Sequence, residues 1–103
     1  MDAPLSLSDN TNDRLNKLLS LYRNDMDKLV NELINYKIRE LRKGIRTIER
    51  DFYSYEQKYE LSTTEFYSLF EDGKLDDTNN DYYIWSGEYE TYIEFKQELN
   101  QLV

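Results

Sequence analysis

The chain has 103 residues, a formal net charge of −8, and neither histidine nor cysteine. This length favours one domain with a core of modest size. Without histidine or cysteine the chain lacks the usual general base near neutral pH and the commonest metal ligand, and it cannot form disulfides. We therefore expect neither an enzyme nor a protein that carries a cofactor or a metal ion.

Acidic and aromatic residues are concentrated in the second half of the chain. Residues 51–103 hold thirteen acidic residues against three lysines, together with eight Tyr, four Phe and Trp85. Residues 1–50 hold ten basic residues against eight acidic ones, with Tyr22 and Tyr36 as their aromatics. An acidic aromatic surface repels phosphates but suits a basic protein, because aromatic side chains anchor interfaces and opposite charge steers encounter. Composition thus favours a module that binds protein.

The first residues and the overall hydropathy predict a cytoplasmic protein with no membrane contact. The segment of residues 1–12 is short and polar, and we expect it to form a flexible tail. It lacks the basic and apolar stretches of a secretory signal. No apolar run approaches the roughly 20 residues that span a bilayer. The lack of cysteine fits a reducing compartment.

A helical period runs from residue 13 to residue 60, with no proline and one glycine. Its later part has steps of three and four residues, as in a coiled-coil seam. The seam residues are Ile38, Leu41, Ile45, Ile48 and Phe52. A helix of about 47 residues would be roughly 70 Å long, too long for this chain to cover by itself. We expect a long dimerisation helix in a homodimer, in parallel or antiparallel pairing, with a break near Asn35 or Gly44 and a folded-back segment as the alternative.

Residues 61–103 predict an acidic aromatic helical hairpin. Ser62 and Glu65 have the spacing of a capping box, so a short helix begins at Thr63. It ends near Gly73, and a polar loop follows to Asn80. A third helix, capped by Asn80 or Asp81, is expected to continue to about residue 101. The predicted fold is all-α, with the second and third helices folded back on the end of the first.

One basic patch stands out against the acidic composition. It consists of Arg39, Arg42, Arg46 and Arg50, which share one helical face. Contact with a DNA backbone is one interpretation, but the net charge disfavours it. The favoured interpretation is charge pairing with the acidic third helix, whose glutamates also lie at helical spacing.

Exposed tyrosines and loop carboxylates are the candidates for partner contact. Most aromatic residues fall on the helical stripes and are expected in the core. Three tyrosines fall off the stripes and are expected at the surface: Tyr53, Tyr67 and Tyr83. The loop acids complete the candidate surface: Glu71, Asp72, Asp76 and Asp77. These acids lack the spacing of a calcium-binding EF-hand loop, so we interpret them as solvated capping and loop residues.

Residues 49–102 carry motifs in a distinctive order. In chain order they are Phe52, Tyr55-Glu56-Gln57-Lys58-Tyr59, Ser62-Thr63-Thr64-Glu65-Phe66-Tyr67, Phe70-Glu71-Asp72-Gly73 and Trp85-Ser86-Gly87-Glu88-Tyr89. In these motifs the chain resembles the TumA-like antitoxins, small acidic helical proteins encoded beside TumE-type toxins. Glu60 departs from the pattern, since the family often has Gly there.

The resemblance implies an antitoxin-like interaction protein that neutralises a basic partner, a nuclease-type toxin, through its acidic aromatic half. Two other functions remain open at this point. One is a DNA-mimicking inhibitor of a nucleic-acid enzyme, and the other is a structural coiled-coil adaptor. A DNA mimic predicts carboxylates in a regular, phosphate-like row.

Overall fold

The computed structural model describes residues 6–103, which form four α-helices and no strand. Helix α1 spans Asp9–Leu21, α2 spans Met26–Tyr59, α3 spans Thr63–Glu71 and α4 spans Asn80–Leu102. The all-α prediction is confirmed for the described residues. These helices belong to two compact units, one ending at Tyr36 and the other covering Lys37–Val103, and α2 contributes to both. None of the described helices has an apolar stretch of the length and hydropathy that crossing a bilayer requires.

The prediction of one uninterrupted helix over residues 13–60 is wrong. The chain turns between Leu21 and Met26, because Arg23 and Asn24 adopt left-handed backbone conformations with φ of 57° and 61°. The Arg23 N–H donates to the carbonyl of Ser20, and the Asn24 N–H donates to that of Leu19. This is the Schellman pattern of a helix end. Asparagine tolerates the left-handed region, so the signal was present in the sequence.

Asp25 then starts the second helix. Its carboxylate accepts a hydrogen bond from the Lys28 backbone N–H at 3.1 Å, as an N-cap residue does. Across the turn, the Tyr22 hydroxyl donates to the carboxylate of Glu32. From Met26 the helix runs for 34 residues without a break at either Asn35 or Gly44.

The predicted tail is also shorter than expected. Residues 1–5 lie outside the described part of the chain. Ser8 accepts a hydrogen bond from the Thr11 N–H and caps α1, so residues 9–12 are helical.

Unit 2, residues 37–103, contains the aromatic core. Its buried cluster comprises Ile48, Phe52, Phe66 and Trp85. Phe66 and Trp85 are fully buried, and each such ring stabilises the fold by about 1.5–3 kcal/mol. Helices α2 and α4 run antiparallel through this core, because Tyr59 contacts Tyr82 while Phe52 contacts Tyr92. The predicted fold-back of α3 and α4 onto the end of α2 is confirmed.

This fold-back covers the seam that was assigned to a dimer. Leu41, Ile48 and Phe52 are each at most 8% exposed within a single chain, while Ile38 and Ile45 are half-buried. The ring of Phe52 lies 5.2 Å from that of Tyr92. A second copy could therefore pack against this part of the seam only by displacing α4. For Ile48 and Phe52 the folded-back alternative is correct, and the prediction that these two residues pair with a second copy is wrong.

Gly44 in α2 permits a close approach of Phe95 in α4. A Cβ placed on Gly44 would lie 2.8 Å from the ring of Phe95 in α4. Gly87 in α4, by contrast, is exposed, and a Cβ placed on it would meet nothing within 4 Å.

Candidate functional site

A chain of hydrogen bonds joins α2, α3 and α4 beneath the surface. The buried Thr63 accepts a hydrogen bond from Trp85 Nε1 at 3.0 Å and donates to Glu56 Oε2 at 2.9 Å. The same Glu56 oxygen accepts from the Thr63 backbone N–H at 2.8 Å. Buried polar groups must be paired, and here each of the three supplies a partner for the next. The network fixes the start of α3 and the ring plane of Trp85.

The predicted cap of α3 is confirmed in its first half. The Glu65 N–H donates to Ser62 Oγ at 3.2 Å. The sequence missed the contribution of Glu56, which comes from the preceding helix. Glu60 connects the two helices in the left-handed region with φ of 55°, a conformation that glycine adopts without strain. This explains in physical terms why glycine suits the position.

Stacked rings extend this network to the surface. Phe66 lies parallel to Trp85 with ring centroids 3.8 Å apart, and Phe70 stacks on Phe66 at 5.6 Å. The ring of Tyr83 meets Phe70 edge-on at 5.4 Å. Tyr83 is nevertheless 54% exposed. It is thus an exposed ring held on a rigid aromatic support.

The start of α4 is held by an ion pair. Asp81 Oδ2 accepts from Lys58 Nζ at 2.8 Å and from the Tyr59 hydroxyl at 2.6 Å. The hydrogen bond between Lys58 and Asp81 raises the pKa of the lysine and lowers that of the carboxyl group. The N-cap is Asn79, one residue before the predicted Asn80, and it accepts from the Asp81 N–H. The beginning of α4, next to Tyr83, is therefore tied to the end of α2.

Hydrogen bonds hold the carboxylate of Asp76 at the centre of the acidic loop between α3 and α4. Asp76 Oδ1 accepts from the Thr78 N–H at 2.9 Å and from its hydroxyl at 2.7 Å. These bonds lower the pKa of Asp76. The other predicted loop acids, Glu71, Asp72 and Asp77, are exposed. Because Phe70 before the loop contacts Tyr83 after it, the loop closes beside that exposed ring.

Two of the three tyrosines expected at the surface are there. Tyr53 is 65% exposed, like Tyr83, whereas Tyr67 is half-buried. The Tyr67 ring lies 4.6 Å from that of Tyr89, and its hydroxyl donates to Glu90 at 2.7 Å. That bond raises the pKa of Tyr67. The expectation of exposure is wrong for Tyr67, because its position one residue after Phe66 brings its ring against α4.

The basic patch lies on the face of α2 opposite the core. Arg39, Arg42, Arg46 and Arg50 are all exposed. Among the described residues no ion pair joins them to the acids of α4, so the favoured sequence interpretation is wrong within the single chain. A shallow groove on this face is lined by Arg46, Glu49, Arg50, Tyr53 and Ser54.

Two carboxyl groups meet at the edge between α2 and α4. Burial and the neighbouring carboxylate of Asp51 raise the pKa of Glu88 to about 7. Burial also raises the pKa of the adjacent Tyr55, with further contributions from Glu88 and Asp81. Glu88 therefore changes charge near neutral pH, which the sequence did not indicate because Asp51 is 37 positions away.

Comparisons of the chain with protein-family models, with curated proteins and with solved structures find no match. The resemblance of residues 49–102 to TumA-like antitoxins remains a prediction.

Proposed function

We propose that this chain is a non-catalytic interaction protein that captures a basic protein partner through the surface formed by Tyr83 and the acidic loop. This surface, the loop face, consists of Tyr83 and the loop acids Glu71, Asp72, Asp76 and Asp77. The observation that carries the proposal is the exposed Tyr83 ring, which contacts Phe70, while Phe70 stacks on Phe66 and Phe66 on Trp85. A ring already held in place loses little freedom on binding, so it suits an interface anchor.

The charge around Tyr83 supports a basic partner. The loop acids lie at the end of α3 and in the loop that closes beside Tyr83, and the next residue, Ile84, is 45% exposed. Opposite charge at the rim accelerates encounter, while burial of the central ring slows dissociation. Together with the motif resemblance, this favours an antitoxin-like role in the cytoplasm, with a nuclease-type toxin as the basic partner.

The antitoxin role predicts that a small basic protein is encoded next to this chain, and the test is co-expression with that protein. We expect the wild-type chain to restore growth. In a binding measurement, we expect Tyr83→Ala to lower affinity for that protein at least about tenfold, since interface tyrosines often contribute more than 1 kcal/mol. Tyr53→Ala is the control, because Tyr53 is also a largely exposed tyrosine, at 65% against 54% for Tyr83, but lies on α2 away from the loop. Equal growth with and without the wild-type chain would refute the antitoxin role. Equal loss with both tyrosine variants would refute the loop face as its site.

A DNA-mimicking inhibitor is the second candidate, and one observation bears on it. Glu90, Glu94 and Glu98 form an exposed row on α4. Four-residue steps give the row one charge per about 6 Å of helix axis, whereas duplex DNA carries one charge per about 1.7 Å of its axis. The row is thus sparser than a phosphate backbone, and a basic protein partner is favoured. Competition by duplex DNA for the partner distinguishes the two candidates.

A further inference from the structure

Two exposed rows of opposite charge lie on α2 and α4 with the same spacing. The basic row consists of Arg42, Arg46 and Arg50, and the acidic row consists of Glu90, Glu94 and Glu98. In both rows the residues are four positions apart, which places successive charges on one face about 6 Å apart. Each row is therefore a linear pattern that the other could match charge for charge.

Within one chain the two rows cannot meet. Residues of α2 that contact α4, such as Phe52 and Gly44, lie on the side of the helix opposite the arginines. Trp85 and Tyr92 likewise turn the glutamate row away from α2. The rows lie on the two outer faces of the α2–α4 layer, and over residues 6–103 no ion pair joins them.

We propose that a second copy of this chain docks by placing its basic row against the acidic row of the first. Antiparallel pairing, the direction that α2 and α4 already take within the chain, brings Arg50 opposite Glu90. Arg46 then faces Glu94, and Arg42 faces Glu98. Glu90 is already held by the Tyr67 hydroxyl at 2.7 Å, so part of the row is ordered before docking.

The same register matches two further features. Tyr53 lies three residues after Arg50, and Gly87 lies three residues before Glu90. In the antiparallel register, Tyr53 of one copy therefore faces Gly87 of the other. Tyr53 projects into solvent and is 65% exposed. Gly87 is exposed and has nothing within 4 Å of where a Cβ would lie. Because Gly87 has no side chain, the tyrosine ring of the other copy can pack close to the backbone of α4 there.

A second copy fits the basic row better than nucleic acid does. Glu49 lies among the arginines in the groove, and the chain as a whole carries −8, which repels a polyanion at long range. A second copy supplies a short acidic row of the right period. Since the two rows lie on different faces, the contact is heterologous and adds copies head to tail.

The experiment is sedimentation velocity over a range of protein concentrations at low and high salt. We expect the wild-type chain to associate at high micromolar concentration in low salt and to dissociate as salt screens the rows. The variant Arg42→Glu/Arg46→Glu is acidic on both faces, and the variant Glu94→Arg/Glu98→Arg is basic on both. Each alone should be monomeric, and an equimolar mixture of the two should associate again.

Controls separate docking from folding and from other partners. Lys74→Glu makes the net charge more negative, as the arginine variant does, but Lys74 lies in the loop between α3 and α4. This control should associate like the wild type. Far-ultraviolet circular dichroism checks that each variant remains helical. Wild-type chain that stays monomeric at all concentrations in low salt would overturn the proposal, as would a mixture that does not associate. A duplex DNA probe that binds the wild type but not Arg42→Glu/Arg46→Glu, without self-association, would assign the basic row to nucleic acid instead.

Discussion

Thr63 is the residue on which the packing of three helices depends. Its hydroxyl is both the acceptor for Trp85 Nε1 and a donor to Glu56. We expect Thr63→Val to lower the free energy of unfolding by about 2 kcal/mol, because it leaves a buried indole N–H without its partner. Urea denaturation followed by the fluorescence of Trp85, the single tryptophan, measures this. Thr64→Val, at the exposed neighbouring position, should change stability by less than about 0.5 kcal/mol. Equal effects of the two substitutions would contradict the role of Thr63.

A second single residue, Glu88, should make the free energy of unfolding depend on pH. Its pKa of about 7 in the folded chain exceeds the ordinary value of 4.5, so the folded state holds the proton more tightly than the unfolded state. Stability should therefore fall as pH rises from about 4.5 to about 7, by about 1 kcal/mol once solvent screening of this half-buried group is allowed for. Glu88→Gln should remove this loss and be more stable than wild type at pH 8.

Urea denaturation at pH 5 and pH 8 tests the role of Glu88. This window lies above the range in which the Asp81 carboxyl, whose pKa is lowered, titrates. Glu94→Gln, on the exposed face of α4, is the matched control and should keep the wild-type slope. A Glu88→Gln chain with an unchanged dependence on pH would show that the Asp51–Glu88 pair does not titrate in this range.

At the scale of the helices, two glycines make opposite contributions. Gly73 ends α3 with φ of +71°, where a side chain is strained, whereas Gly87 lies inside α4. We expect Gly73→Ala to destabilise and Gly87→Ala to stabilise the chain, each by about 1 kcal/mol. Neither new methyl group meets an atom within 4 Å, so the changes in stability reflect the backbone conformation and not new contacts. Thermal unfolding should move the two midpoints in opposite directions, and a shift in the same direction would contradict this account.

Helix type and the ends of α3 could be predicted because their signals are local. The period of apolar residues and the Ser62–Glu65 spacing depend only on neighbours in the chain. The turn at Arg23 and Asn24 was missed because the apolar period continues through it. The covered seam was missed for another reason, since an apolar stripe shows that something packs on it but not whether α4 or a second copy does. The Glu56–Thr63–Trp85 network joins three helices, so no local pattern indicates it.

At the scale of the whole molecule, the aromatic core belongs to unit 2 alone. All four members of the buried cluster, and the ten residues packed on them, lie between Ile48 and Phe95. In unit 1, Leu29 is the one described residue that is buried. We therefore expect residues 37–103 to fold without residues 1–36, and residues 6–36 to be mostly unstructured on their own, since short isolated helices are marginal in water.

Fluorescence of Trp85 tests this division in the truncated chain. A fragment of residues 37–103 should keep the blue-shifted emission of a buried indole and unfold cooperatively in urea. Trp85→Phe in the fragment controls for emission from the tyrosines. A fragment with the emission of solvent-exposed tryptophan would show that unit 2 requires the first 36 residues. A fragment that folds would also present both the loop face and the two charged rows, because each lies entirely within residues 37–103.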